Sequence, residues 1–271
     1  MKDHKNISDS DLKSWGMLQE FRKMLAFELE DGELSKSEID PRRKLHYIDY
    51  ATSILFVFFN PVISSMRGLC TASGLGKVQK CVTSIQLSLA SFSEAQHTFD
   101  SEALKSLMLK MASKISPSEA KDFKILSVAK DLVAVDGSLF QMLSRVLWAE
   151  WREGKHKAAK LHLGFSVLSQ TAVDAVITKG NSCERKALLE MVEEGVMYVC
   201  DRYYGLDYDF FGELLELGAL FVIRIRNKPK FTVIKEYELT DEDLKEGVIS
   251  DQLVQLGESA RELAPIRMVK V

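Results

Sequence analysis

The stretch Leu132-Val133-Ala134-Val135-Asp136-Gly137-Ser138 decides how the rest of this chain is read. Four apolar residues end in an acid, a glycine and a serine, which is how a short buried strand meets a turn. Asp136 stands at the strand's exit. The same wording returns at Val196-Met197-Tyr198-Val199-Cys200, a second apolar run closed by Asp201. Between the two runs the pattern predicts an amphipathic helix from Leu139 to about Trp151. It then predicts two alternating strands, Lys160 to Leu168 and Ala172 to Thr178, joined around Ser169-Gln170-Thr171. A helix from Glu184 to Glu194 follows, with Ser182 as its N-cap and Gly195 as its stop. Beyond Asp201 the reading is a helix near Asp209 to Leu217, stopped by Gly218, and a strand from Leu220 to Ile225.

Setting aside the helix after the first run, the order is strand, strand, strand, helix, strand, helix, strand. A meander followed by alternating helix and strand predicts an α/β fold with a ribonuclease-H-like mixed sheet, in which the strands leading to Asp136 and Asp201 are parallel neighbours. Parallel neighbours bring their C-terminal ends together. The two aspartates are therefore expected to meet at one end of the sheet.

Residues before this region read differently. Apolar positions recur at three- and four-residue steps, as in Leu12, Trp15, Leu18, Phe21, Leu25 and Leu29. A second helix is expected from about Arg43 to Phe59, ended by Asn60-Pro61. Shorter helices are expected around Ser64 to Thr71 and Leu75 to Val82, and another from Ser101. After Lys230 the chain turns β-rich, with strands expected at Phe231 to Leu239, Val248 to Leu256 and Ile266 to Val271. The domain reading is a helical front over 1–118, the mixed sheet over 119–229 and the start of a β-rich insertion over 230–271. Its last apolar strand lacks a polar tail, which reads as a chain cut short.

The chain has 271 residues, 46% of them apolar, enough for one large core or two modest ones. Its 36 basic and 39 acidic side chains exclude a strongly cationic nucleic-acid binder, so any such surface is a local patch. One patch is Arg224, Arg226, Lys228, Lys230 and Lys235, which either holds phosphates or guards a strand edge. Lys155, His156, Lys157 and Lys160 form a weaker one. No apolar run reaches the roughly 20 residues of a membrane span, and no leader follows Met1, so a cytoplasmic protein without membrane contact is expected. Cys70, Cys81, Cys183 and Cys200 show no metal-ligand spacing and read as reduced thiols. Gly74-Leu75-Gly76-Lys77-Val78 lacks the first glycine and the final hydroxyl of a phosphate loop. His156 and His162 have no nucleophile beside them, and Trp148 and Trp151 read as core of the helix after Ser138.

Aspartates at strand exits are hard oxygen ligands suited to Mg²⁺ or Mn²⁺, which take one or two carboxylates together with phosphate oxygens and waters. Taken singly, such an aspartate is more often a turn or cap residue. Their shared place in the expected sheet favours the pair as a site.

The segment Val135-Asp136-Gly137-Ser138 resembles the first catalytic motif of bacterial insertion-sequence DDE transposases of the IS-four-like group, and Cys200-Asp201-Arg202-Tyr203-Tyr204 resembles their second, usually D-R-G-Y. Lys160-Leu161-His162-Leu163, Phe221-Val222-Ile223-Arg224-Ile225-Arg226 and Ser93-Glu94-Ala95-Gln96 are similar to further stretches of that family. The resemblance implies that Asp136 and Asp201 are catalytic metal ligands for Mg²⁺ or Mn²⁺. It also implies that Arg202 contacts the DNA backbone, with Arg224 and Arg226 of the basic patch as further candidate contacts, and that transposon ends and target DNA are the partners, with a homo-oligomer or a full-length transposase as assembly. Two departures stand out. Tyr203 occupies the place of the motif's glycine, and the family's Y-x-x-R-x-x-x-E-x-x-x-x-x-x-K helix is not found after Asp201. The expected product is thus a transposase fragment, impaired as an enzyme when alone. Its alternatives are a non-catalytic DNA-binding regulator and another ribonuclease-H-like nuclease.

Overall fold

A computed structural model of the chain describes residues 8–31, 42–99, 102–115, 124–142, 150–151, 156–225, 229–257 and 264–271. The chain divides into two compact units, Met1–Lys110 and Met111–Val271.

The first unit is helical: α1 (Trp15–Asp31), α2 (Tyr47–Phe59), α3 (Met66–Ala72), α4 (Gly76–Cys81), α5 (Leu89–Thr98) and α6, which begins here and is numbered Glu102–Ser113. The three- and four-residue steps of α1 place Leu18 and Leu25 at full burial in two neighbouring clusters, one with Phe56, Val78 and Val82, the other with Tyr47 and Leu107. Helix α2 stops where proline demands it, and Asn60 completes the stop. Its amide donates to the Phe56 carbonyl at 2.8 Å while its Oδ1 accepts the Lys13 N–H at 2.6 Å. The buried Asp49 accepts from the Ser84 backbone and hydroxyl and pairs with Arg22 at 2.7 Å, tying α1, α2 and the segment after α4.

The second unit holds β1 (Leu132–Met142), β2 (Glu150–Trp151), β3 (His156–Ser166), β4 (Thr171–Lys179), α7 (Glu184–Leu189), β5 (Met197–Gly205), α8 (Asp209–Glu216), β6 (Leu220–Ile225), β7 (Phe231–Glu236), α9 (Asp241–Lys245), β8 (Ser250–Leu256) and β9 (Ile266–Lys270). In the larger sheet β3 lies against β1, which lies against β5 and then β6, with β4 and β2 on the far edge of β3. The pairs of β1 with β3 and of β3 with β4 are antiparallel, and those of β1 with β5 and of β5 with β6 are parallel. This is the ribonuclease-H-like mixed sheet that the sequence predicts.

One face of the sheet carries Val133, Val135, Tyr198 and Cys200, packed with Leu188 of α7 and Phe210, Phe211 and Leu214 of α8. The burial follows from period-2 alternation in the strands and the apolar stripe of α8. On the other face, by the same alternation, stand Asp136 and Asp201 together with the exposed Phe165, Ile177 and Val222. The second sheet, β7-β8-β9, is an antiparallel meander whose Val254, Leu256, Ile266 and Met268 join the same apolar core.

Three sequence readings are corrected. The helix expected from Leu139 to about Trp151 does not form over its described residues: β1 continues to Met142 because each of its residues from Val133 finds an antiparallel partner in β3, and Glu150–Trp151 is a two-residue strand. Trp148 lies outside the described residues. Helix α7 is shorter than expected and follows Cys183 rather than Ser182, with no side-chain cap. The acidic segment after Thr240, left without an element by the sequence reading, is the short helix α9, closed by a reciprocal cap between Thr240 and Asp243.

Candidate functional site

The last parallel pair between β1 and β5 is Val135 with Cys200, so the next residue on each strand is Asp136 and Asp201. While paired, such strands run about 4.8 Å apart. By strand alternation the two aspartates therefore follow the last pair on the same face of the sheet, where the strands begin to part. Both are exposed. The sequence put each aspartate at a strand's exit; instead each lies within its strand, since β1 goes on with β3 alone and β5 goes on to Gly205. Asp136 Oδ1 accepts the Gly137 N–H and Asp201 Oδ1 accepts the Tyr203 N–H, each at 2.8 Å. Among the described residues neither aspartate is paired with a basic side chain. Their donor set, exposed hard carboxylate oxygens, is of the kind Mg²⁺ or Mn²⁺ takes, and among the described residues no group of three His, Cys, Asp or Glu side chains is placed to hold a metal ion.

Around the pair stand residues that the motif reading passed over. Glu184, the first residue of α7, lays its carboxyl group against Gly137, where a Cβ would come within 3.0 Å of it. A side chain at Gly137 would crowd that carboxylate. The same carboxylate holds Lys160 Nζ at 3.0 Å, and both side chains are largely buried. Lys160, read from sequence as part of a free basic patch, is instead an internal counter-charge because Glu184 and the Ser182 carbonyl take its ammonium. His162 is fully buried, and its Nε2 bonds the Thr178 hydroxyl at 2.8 Å. Burial, reinforced by the Lys160 charge, lowers its pKa against the opposing pull of Glu184 and Glu190, so its ring is neutral near pH 7. It serves packing rather than base catalysis.

Tyr204 is almost wholly buried and its hydroxyl has no hydrogen-bond partner among the described residues. Burial raises its pKa, and the charges of Cys200, Glu184, Asp136 and Asp201 push the same way. The phenol therefore stays protonated at neutral pH. Burial followed by the Asp201 charge pushes the Cys200 thiol up to about 12, which keeps it an inert core side chain.

Beyond Asp201 the pairing of β5 with β6 is broken from Cys200 to Gly205, and it resumes at Gly205 with Ile225. A Cβ on Gly205 would lie 2.5 Å from the Arg224 carbonyl oxygen. The close backbone approach that Tyr203 would forbid is thus made two residues later. Arg185 fixes the intervening segment: its Nη1 donates to the Tyr203 carbonyl at 3.1 Å and its guanidinium lies over the Tyr203 ring. Of the expected DNA contacts, Arg202 and Arg224 are exposed and have no acidic partner among the described residues, while Arg226 lies outside the described residues. Lys228 also lies outside them, and Lys235 sits over the Tyr237 ring.

Comparison with known proteins gives a family match over part of the chain and a distant likeness to solved structures. Residues 128–262 match the family described as "Transposase DDE domain". No curated protein matches the sequence. The cryo-electron microscopy structure of a piggyBac transposase synaptic complex with hairpin DNA aligns with 99% of this chain at 10% identity and a TM-score of 0.33. The chain spans 53% of the length of that transposase chain. The region that holds β1 to β8, Asp136 and Asp201 is, over residues 128–262, similar to the transposase DDE domain family.

Proposed function

We propose that this chain is the DNA-processing part of a metal-dependent transposase of the insertion-sequence type, acting on transposon-end and target DNA. One observation carries the reading: within the matched region, the register Val135 with Cys200 sets Asp136 and Asp201 next to each other on one face. On this reading the two aspartates hold Mg²⁺ or Mn²⁺, and Arg202, Arg224 and Arg226 contact phosphates. When bound, the divalent ion supplies activation of a water or a 3′-hydroxyl and charge compensation for the leaving oxygen. The protein's own part is to fix the ligands on two paired strands and to hold the segment after Asp201 through Arg185 and Gly205.

The test joins the chain to a segment carrying the tyrosine-arginine-glutamate-lysine helix and follows cleavage of transposon-end DNA in Mg²⁺. Asp136→Ala and Asp201→Ala are expected to abolish cleavage and leave end binding intact. Cleavage equal to the parent's would remove both residues from the mechanism.

A further inference from the structure

Between Cys200 and Gly205 strand β5 has no strand partner among the described residues. Its last pair with β1 is Val135 with Cys200, and its pairing with β6 lapses until Gly205 meets Ile225. Asp201, Arg202 and Tyr203 on this free stretch are all exposed, whereas Tyr204 is buried.

Tyr203 is an aromatic ring that is clamped in place and still left in solvent. Its N–H donates to Asp201 Oδ1 at 2.8 Å and its carbonyl accepts Arg185 Nη1 at 3.1 Å, so its backbone is tied from both sides. The Arg185 guanidinium lies over the ring, 5.4 Å from its centroid, and the Tyr204 ring meets it edge-on at 6.4 Å. Arg185 also reaches Asp207 at 3.7 Å. Despite these contacts the residue keeps 43% of its surface exposed. A ring buried as core filler would be covered. A ring already held in one orientation loses little further freedom when a ligand lands on it, which favours a stacking platform.

The charges nearby point to the class of ligand. Arg202 and Arg224 are exposed and have no acidic partner among the described residues, and the Arg224 backbone packs against Gly205, two positions from Tyr203. An exposed aromatic ring among arginines suits a nucleotide, with the base on the ring and phosphates on the guanidinium groups. The base must be unpaired, because in a duplex it is enclosed in the stack.

We propose that Tyr203 stacks an unpaired end base of the DNA strand held at Asp201, with Arg202 and Arg224 on the adjoining phosphates. The proposal rests on the chain being a DNA-processing transposase. It gives a role to the residue by which this sequence departs from D-R-G-Y, since a glycine there offers no ring.

The test is fluorescence anisotropy of the full chain, at one fixed salt concentration, with two labelled synthetic duplexes of the same arbitrary sequence. One carries a single unpaired adenine at each 3′ end, and the other an abasic residue in its place. The parent is expected to bind the adenine duplex about tenfold more tightly than the abasic one, a gain in the range of one base stacked on an aromatic side chain. Tyr203→Ala is expected to lose that preference while binding the abasic duplex as the parent does, and Tyr203→Phe to keep it. Circular dichroism checks folding; should Tyr203→Ala unfold, Tyr203→Leu keeps bulk without a ring and is expected to lose the same preference. Parent-like preference in Tyr203→Ala, or equal weakening on both duplexes, would overturn the proposal and leave Tyr203 a structural residue. A parent that binds neither duplex would overturn the DNA-processing reading, and the proposal with it.

Discussion

Gly205 shows how one missing methyl decides a local path. Its Cα passes so close to the Arg224 carbonyl that a Cβ would sit 2.5 Å from the oxygen, and that oxygen belongs to backbone held in β6. Neither side can yield cheaply. Gly205→Ala is therefore expected to destabilise the chain by about 1–3 kcal/mol, the usual cost of overpacking, and to displace Asp201 by forcing β5 away from β6. Urea unfolding measures the first effect, and a parent-like midpoint would show that the two strands part freely here. Gly137 makes the matching case on β1, where the neighbour is the Glu184 carboxylate rather than backbone. Neither close approach was legible in the sequence. D-R-G-Y reads the glycine two places earlier, and nothing in a linear string says that a helix start will lean on Gly137.

At the scale of elements, the parallel pair β1 and β5 could be read early because apolar runs ended by Asp136 and Asp201 are strong signals over short spans. The helix expected after Ser138 failed for a physical reason. Leu139 and Phe140 are half exposed, yet their backbones pair with Lys160 and Ala159, so a long-range ladder outweighed a local amphipathic pattern. The pair of Glu184 and Lys160 escaped notice because it forms only when α7 packs against β3. The β3–β4 pair makes a measurable claim. His162 bonds Thr178 across it, and its pKa is lowered by burial and by Lys160, with Glu184 and Glu190 opposing. A histidine whose folded pKa lies below the ordinary 6.5 leaves the unfolded chain binding the extra proton first, so stability rises with pH and is lost as pH falls from about 6.5 through the folded value. Thermal melts between pH 7.5 and 5.5 should show a falling midpoint, and His162→Gln should flatten that slope. An unchanged slope in the variant would assign the pH dependence to other groups.

For the molecule as a whole, each unit has its own apolar clusters, and Asp136, Asp201, Glu184, Lys160 and Tyr204 all belong to the second unit. The chemistry proposed here is thus built within residues 111–271, and the helical unit is free to differ in role. At a net charge of −3, the DNA binding proposed above would rest on local cations such as Arg202 and Arg224. Phosphate contacts of that kind weaken steeply with salt. Whether the two aspartates share an ion is open to crystallography: crystals grown with MnCl₂ and recorded near the manganese absorption edge should show an anomalous peak between the Asp136 and Asp201 carboxylates. A map with no peak there, at a Mn²⁺ concentration that calorimetry shows to saturate the chain, would contradict the shared site.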